Sequence, residues 1–221
     1  LTTGAGNTAV GYQAGTLLTT GGGNTMLGNG AMDATPVAAS NNVAIGHYAM
    51  GGASSAQTAS DENVAIGYQA MGAGVMNEAD ANVAIGFQSM LDLTFGDGNS
   101  CLGYRSGFDL TDADGNVAVG YNSMLTNKLG DKNIAIGYGA MDLSYIDDTQ
   151  DELTDNNIFI GYDSGGGDWA TAGSHSNVGV GNYVMDAAMN GAINNVGVGH
   201  EALGSLTEGA SNVAIGKDAG E

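Results

Sequence analysis

One five-residue phrase constrains this chain more than any other feature. Asn-Val-Ala-Ile-Gly recurs with variations through all 221 residues, closing at Gly11, Gly28, Gly46, Gly67, Gly86, Gly103, Gly120, Gly137, Gly161, Gly181, Gly199 and Gly216. Four residues before each glycine stands an asparagine, without exception: Asn7, Asn24, Asn42, Asn63, Asn82, Asn99, Asn116, Asn133, Asn157, Asn177, Asn195 and Asn212. The residue just before each glycine is Val, Ile or Leu. Successive glycines are 17, 18, 21, 19, 17, 17, 17, 24, 20, 18 and 17 residues apart, so the base period is 17 with insertions in a few copies. Self-similarity at a fixed period marks an architecture in which each unit stacks on the last.

Val-Ala-Ile between Asn and Gly reads as a short strand between two turns. The unit is too short for a propeller blade and lacks the helical face of helical repeats. The expectation is therefore an all-β fold, a parallel β-solenoid of twelve coils of about 17 residues, with one strand per coil stacked at about 4.8 Å. The chain reads as one repetitive segment, 1–221, with its longest insertions at 47–62 and 142–156; because it opens on Leu1, we expect a piece of a longer fibre.

Side chains alternate along a strand, so Val64 and Ile66 share one face and Ala65 takes the other. That middle position is Ala in seven of twelve copies, with Met26, Cys101 and Phe159 as the larger exceptions. A coil has one interior. Assigning the larger Val and Ile to it leaves a smooth Ala face outside, which a second chain would have to cover.

Charge removes several functions. Against 24 acidic residues stand four basic ones, Arg105, Lys128, Lys132 and Lys217, for a net charge of −20. Nucleic acids and anionic membrane surfaces both need a cationic footprint that is missing. No apolar run approaches the length of a membrane-spanning helix. Cys101, the single cysteine, precludes an internal disulfide.

In a stacked solenoid, equivalent positions form columns. The Asn column is read as a ladder in which each amide satisfies turn backbone and bonds to its neighbours. After the glycine come Tyr12, Tyr68, Phe87, Tyr104, Tyr121, Tyr138 and Tyr162, with His47 and His200 at the same position. This aromatic column reads as a self-stacking cover; a platform for sugar rings is the competing reading, disfavoured because rings at strand spacing are too dense for one sugar each. Met32, Met50, Met71, Met90, Met124, Met141 and Met185, four past the glycine, read as packed core. Two before the Asn, Asp61, Asp80, Asp97, Asp114, Asp131 and Asp155 occupy six consecutive copies. Carboxylates at strand spacing repel by about 1 kcal/mol per pair even in water. Either turn backbone N–H groups or bridging Ca²⁺ ions must offset that.

No acidic residue falls between Asn and Gly in any copy, whereas the insertion 142–156 carries six. Catalysis needs converging groups. His47, His175 and His200 belong to different copies and no nucleophile–base spacing is present, so no enzyme is expected. An ice-binding face would need a regular Thr column, and Thr is scattered; it stays, with a calcium-binding solenoid, a distant alternative.

The phrases Gly6-Asn7-Thr8-Ala9-Val10-Gly11-Tyr12-Gln13-Ala14 and Asn63-Val64-Ala65-Ile66-Gly67-Tyr68-Gln69-Ala70 resemble two related groups. One is the head repeats of trimeric autotransporter adhesins, the YadA-like left-handed β-roll. The other is the β-roll repeats of bacteriophage tail fibres, to which the fuller wording is more similar. The resemblance covers all twelve copies, although the adhesin-head unit is usually shorter. It implies a homotrimer with the small-residue face near the three-fold axis. It further implies an extracellular role in a virion fibre or on a bacterial cell surface, and a host-surface receptor or glycan as partner. The tail fibre is the favoured expectation, a stiff rod presenting receptor-binding parts. The alternative is an adhesin head that binds host or matrix glycans or proteins. No catalytic residue comes with the resemblance.

Overall fold

The computed structural model describes residues 4–33, 38–51, 59–73, 76–142, 154–169 and 172–221. The chain is a parallel β-solenoid with no helix among those residues. Each copy of the phrase supplies a three-residue strand: β1 (Thr8–Val10), β2 (Thr25–Leu27), β3 (Val43–Ile45), β4 (Val64–Ile66), β5 (Val83–Ile85), β6 (Ser100–Leu102), β7 (Val117–Val119), β8 (Ile134–Ile136), β9 (Ile158–Ile160), β10 (Val178–Val180), β11 (Val196–Val198) and β12 (Val213–Ile215). They pair in chain order into one twelve-stranded sheet. Insertions do not shift the register: across the 24-residue step, Ile134 still faces Ile158 and Ile136 faces Ile160. Much of the two longest insertions, residues 52–58 and 143–153, lies outside the described residues.

The closing glycines are dictated by two constraints at once. Their φ angles lie between 127° and 146°, where a side chain is strained. A Cβ on Gly103 would also run into the carbonyl oxygen of Gly120 in the next coil, and every closing glycine from Gly11 to Gly199 meets its successor in the same way. Twelve glycines in line therefore let neighbouring corners approach closely.

The strand faces are the reverse of the sequence expectation. Ala44, Ala65, Ala84, Ala118 and Ala135 are fully buried inside the coil, and the flanking Val and Ile side chains point outward. The error lay in assuming that the larger residue takes the interior. A coil of this circumference is narrow, and the seven Met side chains of the far wall already fill it, each fully buried. Only a small residue fits opposite them.

Exceptions to the Ala rule confirm that volume decides. Where the inward residue grows to Cys101 or Phe159, the Met position of the same coil shrinks to Gly107 or Gly165; a Cβ there would strike Cys101 Sγ or the Phe159 ring. Met26 is matched in the preceding coil by Gly15. Phe159, packed edge-on against the buried Trp169 at 5.6 Å, is also matched in the next strand by Gly179, which has no room for a Cβ against that ring. Interiors are close-packed, so an added ring must be answered by lost volume nearby.

Candidate functional site

Four columns run along the rod, two of them from end to end and two over its central coils, and each bears differently on function. The Asn column lies inside the corner before the strand. Asn116 donates its backbone N–H to Asn99 Oδ1 at 2.9 Å, and its Nδ2 donates to the same oxygen at 3.1 Å and to the Gly130 carbonyl at 2.9 Å. The backbone step of this pattern, N–H to the preceding Oδ1, is unbroken from Asn24 on Asn7 to Asn212 on Asn195. Asn24 to Asn195 are essentially fully buried. Each amide thus replaces the ladder bonds that the corner would otherwise lose.

The Asp column lies at the surface two residues earlier. Each carboxylate Oδ1 accepts the backbone N–H of the residue one coil back. The chain runs from Ser40 N–H on Asp61 through Asp61 on Asp80, Asp80 on Asp97, Asp97 on Asp114 and Asp114 on Asp131 to Asp131 on Asp155, at 2.6–2.8 Å. The repulsion expected within this column is therefore opposed by a charge-assisted hydrogen bond at every step. Asp131 has its pKa pushed up, first by partial burial and then by Asp155 and Asp114, against the N–H bond from Asp114's side, which lowers it. One Oδ1 per coil is committed to backbone. What is left for Ca²⁺ is a line of single oxygens, which is unlike the six to eight converging ligands that ion takes.

The aromatic column is a continuous stack over seven rings: His47, Tyr68, Phe87, Tyr104, Tyr121, Tyr138 and Tyr162. Centroids are 4.8–5.4 Å apart and planes within 14° of parallel. The tyrosines and Phe87 remain 41–49% exposed. Tyr12 does not join them: Asn29 holds this position in the second coil, leaving Tyr12 70% exposed. The phenols of Tyr138 and Tyr162 are pushed above their ordinary value. For Tyr138 lost hydration leads and the neighbouring phenols add; for Tyr162 the Asp163 carboxylate leads.

The fourth column was not recognised as exposed from sequence. Of the 24 outward strand positions, 21 are Val, Ile or Leu; Thr8, Thr25 and Ser100 are the rest, and none is charged. Leu102 is 49% exposed, Ile136 36% and Ile215 73%, with most others half-buried by their own neighbours. The face is a continuous row of partly uncovered apolar side chains along the stacked strands.

Two charged groupings escape a sequence reading because separate coils build them. Arg105 lies over the Phe108 ring, its Cζ 4.0 Å from the centroid. Nearby Asp109 and Asp92 have raised pKa values, burial being the main cause and the Lys128 ammonium a partial offset. His200, Glu201 and Asp218 each bring one ligand atom within 4.8 Å of the others. Lys217 Nζ already sits 3.1 Å from Asp218 Oδ2, and His200 is exposed, so this trio offers a cation little. Position two past the glycine, shared by Glu201 and Asp218, was the signal that would have found it.

Comparison with protein-family models, with curated proteins and with solved structures finds no match to the chain.

Proposed function

We propose that this chain is a stiff structural segment of an extracellular attachment fibre, the rod of a phage tail fibre, and that it works as a homotrimer. The single observation that carries the reading is the uncharged aliphatic face, uncovered along an unbroken stack of twelve parallel strands. Another copy of the chain is the natural cover. It carries the same row of Val and Ile at the same strand spacing, so side chains on two such faces interdigitate along their whole length. The contact shifts from the small-residue face that the resemblance implied to the Val/Ile face.

Electrostatics agree. Three chains carry −60 (three times −20), and copies so charged approach at low cost through a long face without a carboxylate. Eleven strand steps give a rod of roughly 50 Å. Backbone and Asn ladders stiffen it, and loops outside the strands are left to carry recognition. Host-surface receptors or glycans are the partners proposed for those loops and for flanking parts of the fibre.

Binding of fluorescently labelled protein to bacterial envelopes and to immobilised matrix proteins tests the reading. Retention on bacterial envelopes is expected. Retention on matrix proteins alone would replace the tail fibre by a bacterial surface adhesin. Deleting residues 87–120, two units of 17, should shorten the rod by about 10 Å with folding intact. Loss of folding would contradict a rod of equivalent coils.

A further inference from the structure

Four consecutive rings of the aromatic stack are tyrosines: Tyr104, Tyr121, Tyr138 and Tyr162, at the corners that follow β6, β7, β8 and β9. Their centroids are 4.8, 4.8 and 5.2 Å apart, with planes within 5–7° of parallel. All four are exposed by 41–49%, so a soluble oxidant reaches them. The remaining described tyrosines lack such a partner. Phe87, which has no phenol, separates Tyr68 from Tyr104; Tyr12 stands apart; Tyr48 packs edge-on against His47; Tyr183 meets Tyr162 edge-on at 62°.

We propose that Tyr104, Tyr121, Tyr138 and Tyr162 are an oxidative cross-linking site, at which peroxide-driven one-electron oxidation joins neighbouring rings as dityrosine and ties successive coils of one chain together. Each of two facing phenols gives one electron to the oxidant and its hydroxyl proton to water. The resulting phenoxyl radicals share their unpaired electrons with the ring carbons ortho to oxygen. One carbon–carbon bond forms between two ortho carbons, using one electron from each ring. Each of those carbons then loses its hydrogen as a proton, and each oxygen regains one, restoring two phenols. In sum, two tyrosines and one hydrogen peroxide give one dityrosine and two waters. Holding the rings face to face across fixed coils replaces a chance encounter by a standing one. Thiol chemistry does not compete, because Cys101 is buried and its pKa is pushed up to about 12 by lost hydration.

The sequence makes the test clean. Trypsin cuts after Arg105, Lys128, Lys132 and Lys217, and Tyr121 is the single tyrosine of the peptide 106–128. The intact chain at low concentration is treated with a haem peroxidase and hydrogen peroxide, then digested and weighed. Expected is blue dityrosine fluorescence in a product with the mass of one chain less two hydrogens per link. Peptide 106–128 should be joined both to 1–105 and to 133–217. Tyr121→Phe should abolish both joints while keeping the stack, since Phe87 already occupies this column. Tyr104→Phe should remove the first joint alone, and Tyr68→Phe neither. Three results would overturn the proposal. Peptide 106–128 could stay unlinked while freely exposed Tyr12 reacts, the links could join different chains, or the same pattern could persist in urea-unfolded protein.

Discussion

The central coils and the C-terminal coils solve the same stacking problem with different side chains. From β4 to β9 the surface corner is held by the Asp column, the rings stack face to face, and the interior is mostly Ala opposite Met. From β10 to β12 all three devices change together. His175, Ile193 and Ala210 take the Asp position, and direct parallel bridges link His175 to Ile193 and Ile193 to Ala210. Tyr183 and His200 meet edge-on at 67°. Gly179 and Gly197 line an interior crowded by Phe159 and Val184. Two features never change: the Asn ladder and the closing glycines. The contrast separates what the coil requires from what it merely accepts.

If that separation is right, mutations at shared positions should be the most damaging. Gly120→Ala places a Cβ against the Gly137 carbonyl at a φ of 142° and should cost about 4 kcal/mol or more in chemical denaturation. Asn116→Ala removes the acceptor for Asn133 N–H and two bonds of its own in a buried corner. Its cost should be roughly 3 kcal/mol, as an unsatisfied buried donor adds to the lost bonds.

Converting one interior into the other sharpens the comparison further. Phe159→Ala should cost about 3–4 kcal/mol by opening a cavity beside Trp169. Gly165→Met should be severely disruptive alone, because the ring occupies its space, yet it should recover much of the loss in the Phe159→Ala background. A double-mutant cycle reads this coupling, and strict additivity would refute the volume exchange.

A smaller effect distinguishes the two readings of the Asp column. Asp114→Ala should cost about 1 kcal/mol, one surface hydrogen bond. Asp114→Asn keeps the accepting oxygen and removes a charge from the repelling row, so its melting temperature should match or exceed the parent's, with or without EDTA. A loss in Asp114→Asn equal to that caused by EDTA would instead assign the column to a cation.

The smallest effect is on pH. Asp33, Asp92, Asp109, Asp131, Asp163 and Asp186 all have folded pKa values raised above 3.8, burial being the leading cause in each. Between the unfolded and folded values the native chain binds more protons than the unfolded one, so stability falls as pH rises through the folded values. Lowering the pH from neutrality into the range where these raised carboxyls take up protons should therefore raise the melting temperature modestly, the exposed part of each group being screened.

The fold was legible in the sequence because a period is a statement about stacking, and Asn and Gly at fixed offsets leave few alternatives. Column membership was legible too, since equivalent positions stay in register across every insertion. What stayed hidden depended on volume and on neighbours. The inward and outward faces were assigned from residue size, whereas the coil's narrowness decides them. The exchange of Met for Gly at Gly107 and Gly165, beside Cys101 and Phe159, carried that information in plain sight. Tyr12 was counted with the stack although Asn29 interrupts it. The Asp carboxylates were expected to meet either the backbone of their own turn or bridging Ca²⁺, whereas the N–H groups they accept come from the coil before.

The mass in solution tests the central claim most directly. Light scattering on the native chain should give about 66 kDa, three copies of 22.0 kDa, unchanged by EDTA. Ile85→Asp, which puts a charge on the aliphatic face without touching the interior, should give folded protein near 22 kDa. A native chain that is itself a stable 22 kDa monomer, with its Val and Ile columns open to water, would contradict the trimeric rod.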